Sequence, residues 1–126
     1  LAYLENMHLH KTGALIEASV LLGALCQNDI NDKTLNALRL YAKAIGLAFQ
    51  VQDDILDVIS DTQTLGKIQG ADMAHNKPTY VSLLGLKGAQ EKAKLLHTQA
   101  IESLEPLGQN AEELRQIAHY IIARQH

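Results

Sequence analysis

Tryptophan is absent from this chain, phenylalanine occurs once, and aromatic residues make up only 4% of its 126 positions. A core built with so few rings has to come from aliphatic side chains packed between helices. Cys26 is the only cysteine. No intrachain disulfide can form, and the usage is that of a reducing compartment, so a cytoplasmic protein is expected. No uninterrupted apolar run reaches the roughly 18 residues that a membrane helix needs, and no charged-then-apolar signal segment opens the chain. Strand alternation, internal repeats and low-complexity stretches are also missing. The net charge of -3 supplies no footprint for nucleic acid. What remains is a globular composition, 47% hydrophobic and 20% charged, with length enough for one domain and a modest core. The expectation is a single all-α region over residues 1–126, folded as a helical bundle.

Read in order, residues 1–26 form one helix with Leu1, Leu4, Met7 or His8, Leu15, Ala18, Leu22 and Leu25 near helical spacing, weakened at Gly13 and Gly23. His8, Lys11 and Thr12 interrupt the pattern and read as a polar face. His8 and His10 lie two apart and cannot share a helix face. Gln27 to Asp32 is a loop of turn formers, and Asn31 or Asp32 can cap the next helix. That helix is long by globular standards, roughly 30 residues, with Gly46 as its weak point. After a polar stretch, Pro78 suits the first turn of a short helix ending near Leu86, and Gly85 and Gly88 bracket a break. Residues 89–104 are amphipathic, with Ala89, Ala93, Leu96, Ala100 and Leu104 inward. Pro106 and Gly108 end that helix. Asn110 with Glu113 makes a capping-box-like start, and Leu114, Ile117 and Ile121 form the last apolar stripe.

The chemistry concentrates in Phe49-Gln50-Val51-Gln52-Asp53-Asp54-Ile55-Leu56-Asp57. On a helix turning about 100° per residue, Asp53, Asp57 and Asp61 fall within roughly 80° of one another, with Gln50 on the same stripe and Asp54 at its margin. Apolar residues fill most of the remaining circumference, which marks a buried helix. Like charges one turn apart repel, more so when desolvated. A hard divalent ion removes that conflict, and Mg²⁺ commonly takes one or two carboxylates plus substrate phosphates. The other reading is a solvated acidic stripe on a surface helix; the narrow polar sector favours the metal. Residues 61–77 come next, polar, with two glycines and with lysines at 67 and 77. A lysine-bearing loop beyond a row of carboxylates suits a diphosphate–metal site, although a plain solvated loop would read the same way. It is not a Walker loop, because Gly66-Lys67 lacks the upstream glycine and the preceding strand.

Three signatures in order give the chain a resemblance: His8-Leu9-His10-Lys11-Thr12-Gly13, then Phe49-Gln50 with Asp53-Asp54-Ile55-Leu56-Asp57, then Gly66-Lys67-Ile68-Gln69-Gly70-Ala71-Asp72 leading to Lys77-Pro78-Thr79-Tyr80. Along almost its whole length the chain resembles the C-terminal portion of the trans-isoprenyl diphosphate synthases, and within them it is most similar to the bacterial farnesyl-forming members. That resemblance implies the C-terminal part of an isoprenoid synthase fold, Mg²⁺ as cofactor and a homodimer. It implies head-to-tail condensation of isopentenyl diphosphate with an allylic diphosphate, dimethylallyl or geranyl, to give farnesyl diphosphate. The second aspartate-rich motif of the family falls on Asp53, Asp54 and Asp57, with Asp53 as a direct ligand and Asp57 acting directly or through water. By the same match Lys11 and Lys67 hold the allylic diphosphate and Lys77 assists. Thr12 and Gln50 place oxygens near the allylic cation, and Phe49 lines the isopentenyl diphosphate pocket. Arg124 corresponds to a basic end that closes over the site.

The chain departs from the family in lacking the first aspartate-rich motif, the arginines after it and the upstream basic residues that bind isopentenyl diphosphate. It also starts at Leu1 within a helical pattern. The expectation is therefore a C-terminal fragment that holds about half an active site, is inactive alone, and needs the missing N-terminal half of the same fold. Two rivals remain. A class I terpene synthase would carry a later Asn/Ser/Glu metal motif, which is not found. A non-catalytic helical subunit of a heteromeric synthase would have little need for Asp53, Asp57, Lys67 and Lys77 together.

Overall fold

The computed structural model describes residues 1–64 and 78–125, with only the backbone for 61–64. In chain order the elements are α1 (Ala2–His8), a π-helical turn (Leu9–Gly13), α2 (Ala14–Leu25), α3 (Asp32–Thr64), α4 (Tyr80–Ser103), a 3₁₀ segment (Glu105–Ala111) and α5 (Glu112–Ala123). No strand occurs among the described residues, as an all-α bundle requires.

Asn31 starts α3 as expected: its Oδ1 accepts the Thr34 N–H at 2.8 Å, satisfying one of the donors every helix leaves open at its N-terminus. At 33 residues α3 is about 50 Å long, and the other helices pack on it. Ala89, Ala93, Leu96 and Ala100 of α4 are all buried. Their 4-3-4 spacing makes a seam of mostly small residues, which lets the α4 backbone approach α3 closely. Leu104 continues the seam, fully buried. Of the four tyrosines, Tyr41 and Tyr80 are completely buried and anchor separate parts of the core. Tyr41 donates to the Leu114 carbonyl at 2.8 Å, and burial pushes its phenol up to about 12. Its cluster includes Leu38, Ile45, Leu104 and Ala118; Tyr80 sits with Leu4, Val51, Ile55 and Leu96.

Residues 1–26 do run as one helical rod, but its stripe is not the expected one. Leu4 is buried at 2% exposure, whereas Leu15 is 70%, Leu22 66% and Leu25 58% exposed. Ile16, Val20 and Ala24 pack toward the core instead. The π-helical turn explains the change. It inserts one extra residue into the turn, so every later side chain sits about 100° out of step with an unbroken α-helix. A stripe through Leu4 and His8 therefore resumes at Ile16, not Leu15. Gly13 is buried in this turn. A Cβ on Gly46 would come within 3.6 Å of the Gly13 Cα, so the two glycines mark where the rod and α3 lie closest. Gly46 is thus a contact point within a continuous helix, not a break.

Other local expectations shift by a few residues. The helix after Pro78 begins at Tyr80, capped reciprocally by Thr79 and Ser82. It breaks at Gly85 alone, whose φ of 77° favours glycine, while Gly88 lies inside the helix. The Asn110–Glu113 capping box does not form; Ala111 occupies the N-cap of α5 with no side-chain cap. Arg115 reaches back to the carbonyls of Leu104 (3.3 Å) and Gly108 (2.8 Å) and ties this corner down. Ile117 is 48% exposed, and Ala118 takes the buried place expected for it.

Candidate functional site

The acid stripe of α3 keeps its predicted separation from the core. Val51 and Ile55 are buried on one side of the helix, and Asp53 and Asp57 are exposed on the other. Asp54 differs from both. It is half-buried, and its Oδ2 accepts the backbone N–H of Tyr80 at 2.9 Å, just inside the start of α4. Desolvation pushes its carboxyl up to about 6; the Tyr80 N–H opposes that shift, and the charges of Asp53 and Asp57 add to it.

The hydroxyl end of Tyr80 meets His8 Nδ1 at 3.1 Å, with the two rings 5.4 Å apart. His8 belongs to the first signature, and so Tyr80 links the first signature to the second. The polar-face reading of His8 is incomplete. The ring is partly buried, and its pKa is lowered by that burial and then by the charge of Lys11. Tyr80 is shifted upward by burial, Glu5 and Asp54. Glu5 also pairs with Lys92 of α4. Lys11 is exposed and Thr12 half-buried, both in the π-helical turn that the Gly13–Gly46 approach presses onto α3. That approach lies one turn from Gln50, which is half-buried, and two turns from Asp53.

Arg124 closes the other flank. Its guanidinium lies 4.4 Å from the centre of the Phe49 ring, donates to the Phe49 carbonyl at 3.3 Å and approaches Asp53 Oδ1 at 3.9 Å. Its buried Nε has no hydrogen-bond partner among the described residues. Arg124 also borders a cleft of about 590 Å³ lined by Gln52, Ile55, Ile59, Lys94 and Ile122. Asp53 and Asp57 are outside that cleft, so the hollow is not where the acids point.

Among the described residues no group of three or more His, Cys, Asp or Glu forms a metal cage. The donor set still suits Mg²⁺: hard carboxylate oxygens from Asp53 and Asp57, one helical turn apart on an open face, leaving other positions for phosphate and water. Lys67, Lys77 and the Gly66–Asp72 signature lie outside the described residues. Residue patterns alone give Tyr80 and His8 no role at the site. Tyr80 stands at the end of the third signature and His8 at the start of the first, but only their contact in space gives them one.

Comparison with known proteins shows the family of the chain. The sequence model of the polyprenyl synthetase family matches residues 1–121. The farnesyl diphosphate synthase of Escherichia coli K12 is 53% identical over 124 residues, covering 96% of this chain and 42% of the relative. That of Haemophilus influenzae is 47% identical, covering 98% and 42%. The crystal structure of a Marinomonas protein assigned as a farnesyl-diphosphate synthase superposes with a TM-score of 0.80 at 47% identity, over 97% of this chain and 40% of that one. The chain thus spans about two fifths of the length of the relatives it matches. With the family match running from residue 1 to residue 121, the chain belongs to the polyprenyl synthetase family.

Proposed function

We propose that the protein carrying this chain condenses isopentenyl diphosphate with dimethylallyl or geranyl diphosphate, head to tail, and that this chain supplies the second aspartate-rich Mg²⁺–diphosphate site. The allylic C–O bond breaks with its electron pair leaving on diphosphate. The alkene of isopentenyl diphosphate attacks the allylic carbon, and a proton is then lost. The observation that supports this most is the exposed Asp53–Asp57 face opposite the buried Val51 and Ile55, flanked along α3 by the Lys11–Thr12 turn and by Arg124.

Asp53 and Asp57 would hold Mg²⁺, which when bound neutralises charge building on the departing diphosphate. Lys11, Lys67 and Lys77 hold the outer phosphate oxygens as point charges. Thr12 and Gln50 turn oxygen dipoles toward the developing allylic cation. Phe49 forms apolar wall for isopentenyl diphosphate. Asp54 holds the start of α4 in place through Tyr80, so the acid stripe and the neighbouring helix keep one geometry. The chain alone is proposed to be inactive, the other half of the site coming from additional sequence of the same fold, and the whole protein to work as a homodimer.

The test is prenyl transfer by the longest natural protein that carries this chain, with Mg²⁺, isopentenyl diphosphate and each allylic diphosphate, and with products resolved by chain length. A C15 product is expected. A longer product would revise the substrate range, and no product from folded, Mg²⁺-supplied protein would overturn the reading in favour of a non-catalytic subunit.

A further inference from the structure

On the surface where α4 meets α5, His97 Nε2 and His119 Nδ1 lie 2.8 Å apart. Their ring centroids are 4.5 Å apart and the planes are inclined by 45°. Rings that met head-on across such a short line would have their centres farther apart. The two nitrogens are therefore approached at an angle, as convergence of two lone pairs on one point requires. Two imidazole nitrogens bound at about 2.1 Å and at right angles would sit about 3.0 Å apart, close to what is seen.

We propose that His97 and His119 form a two-imidazole site for a borderline divalent ion, Zn²⁺, Ni²⁺ or Cu²⁺, which clamps α5 to α4. Imidazole nitrogen suits these ions and not Mg²⁺, which selects oxygen. The ion takes the place of the N–H···N hydrogen bond: the ring that donates it carries its proton on the other ring nitrogen instead, and water completes the coordination. The nearest cations in sequence are Lys94, one turn back on α4, and Arg115, one turn back on α5. Arg115 is drawn away by Glu112 and by the carbonyls of Leu104 and Gly108. His119 is exposed and His97 is at the margin, so an ion can enter without opening the core. The site is separate from the acid stripe: it joins α4 to α5, and the acids are on α3.

Zn²⁺ is titrated into the protein by calorimetry with Mg²⁺ in large excess, so that the carboxylates are already saturated. Wild type is compared with His97→Ala, His119→Ala and, as control, His10→Ala, an exposed histidine on the first rod. Each of the first two variants is expected to lose at least tenfold in Zn²⁺ affinity, with the control unchanged. Zn²⁺ should also raise the melting temperature of wild type and not of those two variants. Equal affinity in wild type and both variants, or the same loss in the His10 control, would overturn the proposal.

Discussion

The N–H of Tyr80 donates to Asp54 Oδ2 at 2.9 Å, and by that one bond an acid of α3 serves as an anchor for the first turn of α4. A carboxylate there satisfies a donor the helix cannot pair internally and meets the positive end of its dipole. The three acids of the motif thus have different surroundings: Asp53 and Asp57 face outward, and Asp54 is turned into the fold.

This division predicts different effects on the metal-free protein. The folded pKa of Asp54, about 6, is above its unfolded value, so the folded state binds the extra proton between about pH 4 and pH 6. Stability falls as pH rises through that window and stays lowered above it. Asp54→Asn keeps an oxygen for Tyr80 and removes the titrating charge. It should be more stable than wild type above pH 6, and the difference should vanish below pH 4. Urea denaturation across that range measures it; a variant less stable at pH 7.5 would mean that the charge–dipole attraction outweighs desolvation.

Asp53→Ala should reduce prenyl-transfer turnover by about 100-fold or more, since charge stabilisation at the leaving group is the task proposed for the site. Its metal-free stability should change little, because Asp53 is exposed and its contact with Arg124 is loose at 3.9 Å. Steady-state kinetics at saturating Mg²⁺ is the measurement, and wild-type turnover would remove Asp53 from the metal.

Much of this fold is legible in the residue pattern. Asn31 signals the start of α3 by its side-chain chemistry, and the seam from Ala89 to Leu104 signals the inward face of α4 by spacing alone. Both are local properties. The π-helical turn is not legible, because no residue type demands it; its cost is offset by tertiary packing at Gly13 and Gly46. A helical wheel puts Asp54 at the edge of the stripe but cannot say that a backbone N–H 26 positions later takes it. Arg124 is expected near the site only from the family resemblance, and its stacking on Phe49 is a contact across 75 positions that no spacing rule contains.

Arg124→Ala should cost about 1 kcal/mol of folding stability through loss of the partly buried cation–π contact. Equilibrium unfolding in urea reads this directly. A change within error would show the stacked arrangement to be one of several that the C-terminal end samples.

Gly13→Ala and Gly46→Ala should move stability in opposite directions. A Cβ at Gly13 meets the backbone carbonyl of His8 at 3.0 Å, and the His8 ring is itself held by Tyr80, so yielding is difficult. A loss of about 1 kcal/mol is expected. At Gly46 the nearest atoms are at 3.6 Å, an ordinary contact, and the gain in helix propensity of about 1 kcal/mol should prevail. Thermal unfolding of the two variants side by side checks the sign.

Acidification should loosen the α4–α5 junction. The folded pKa of His97 is below its ordinary 6.5, so its contribution is present above that value and is lost as pH falls through the folded one. Stability of wild type should therefore drop between pH 7 and pH 5 more steeply than that of His97→Gln. Parallel curves would show that the pair does not couple to folding.

The extra residue in the Leu9–Gly13 turn has a hereditary consequence. Deleting one of those five residues would let the turn close as ordinary α-helix and leave Ile16 and Val20 facing α3, whereas losing a residue elsewhere between Leu4 and Ile16 would rewind α2 by about 100° against α1. Substitutions along this rod can be sampled one at a time, but its length is quantised. A one-residue gain or loss outside the turn is a phase error for everything after it, and lineages that keep this packing are expected to change the length of the rod by one residue only within the turn.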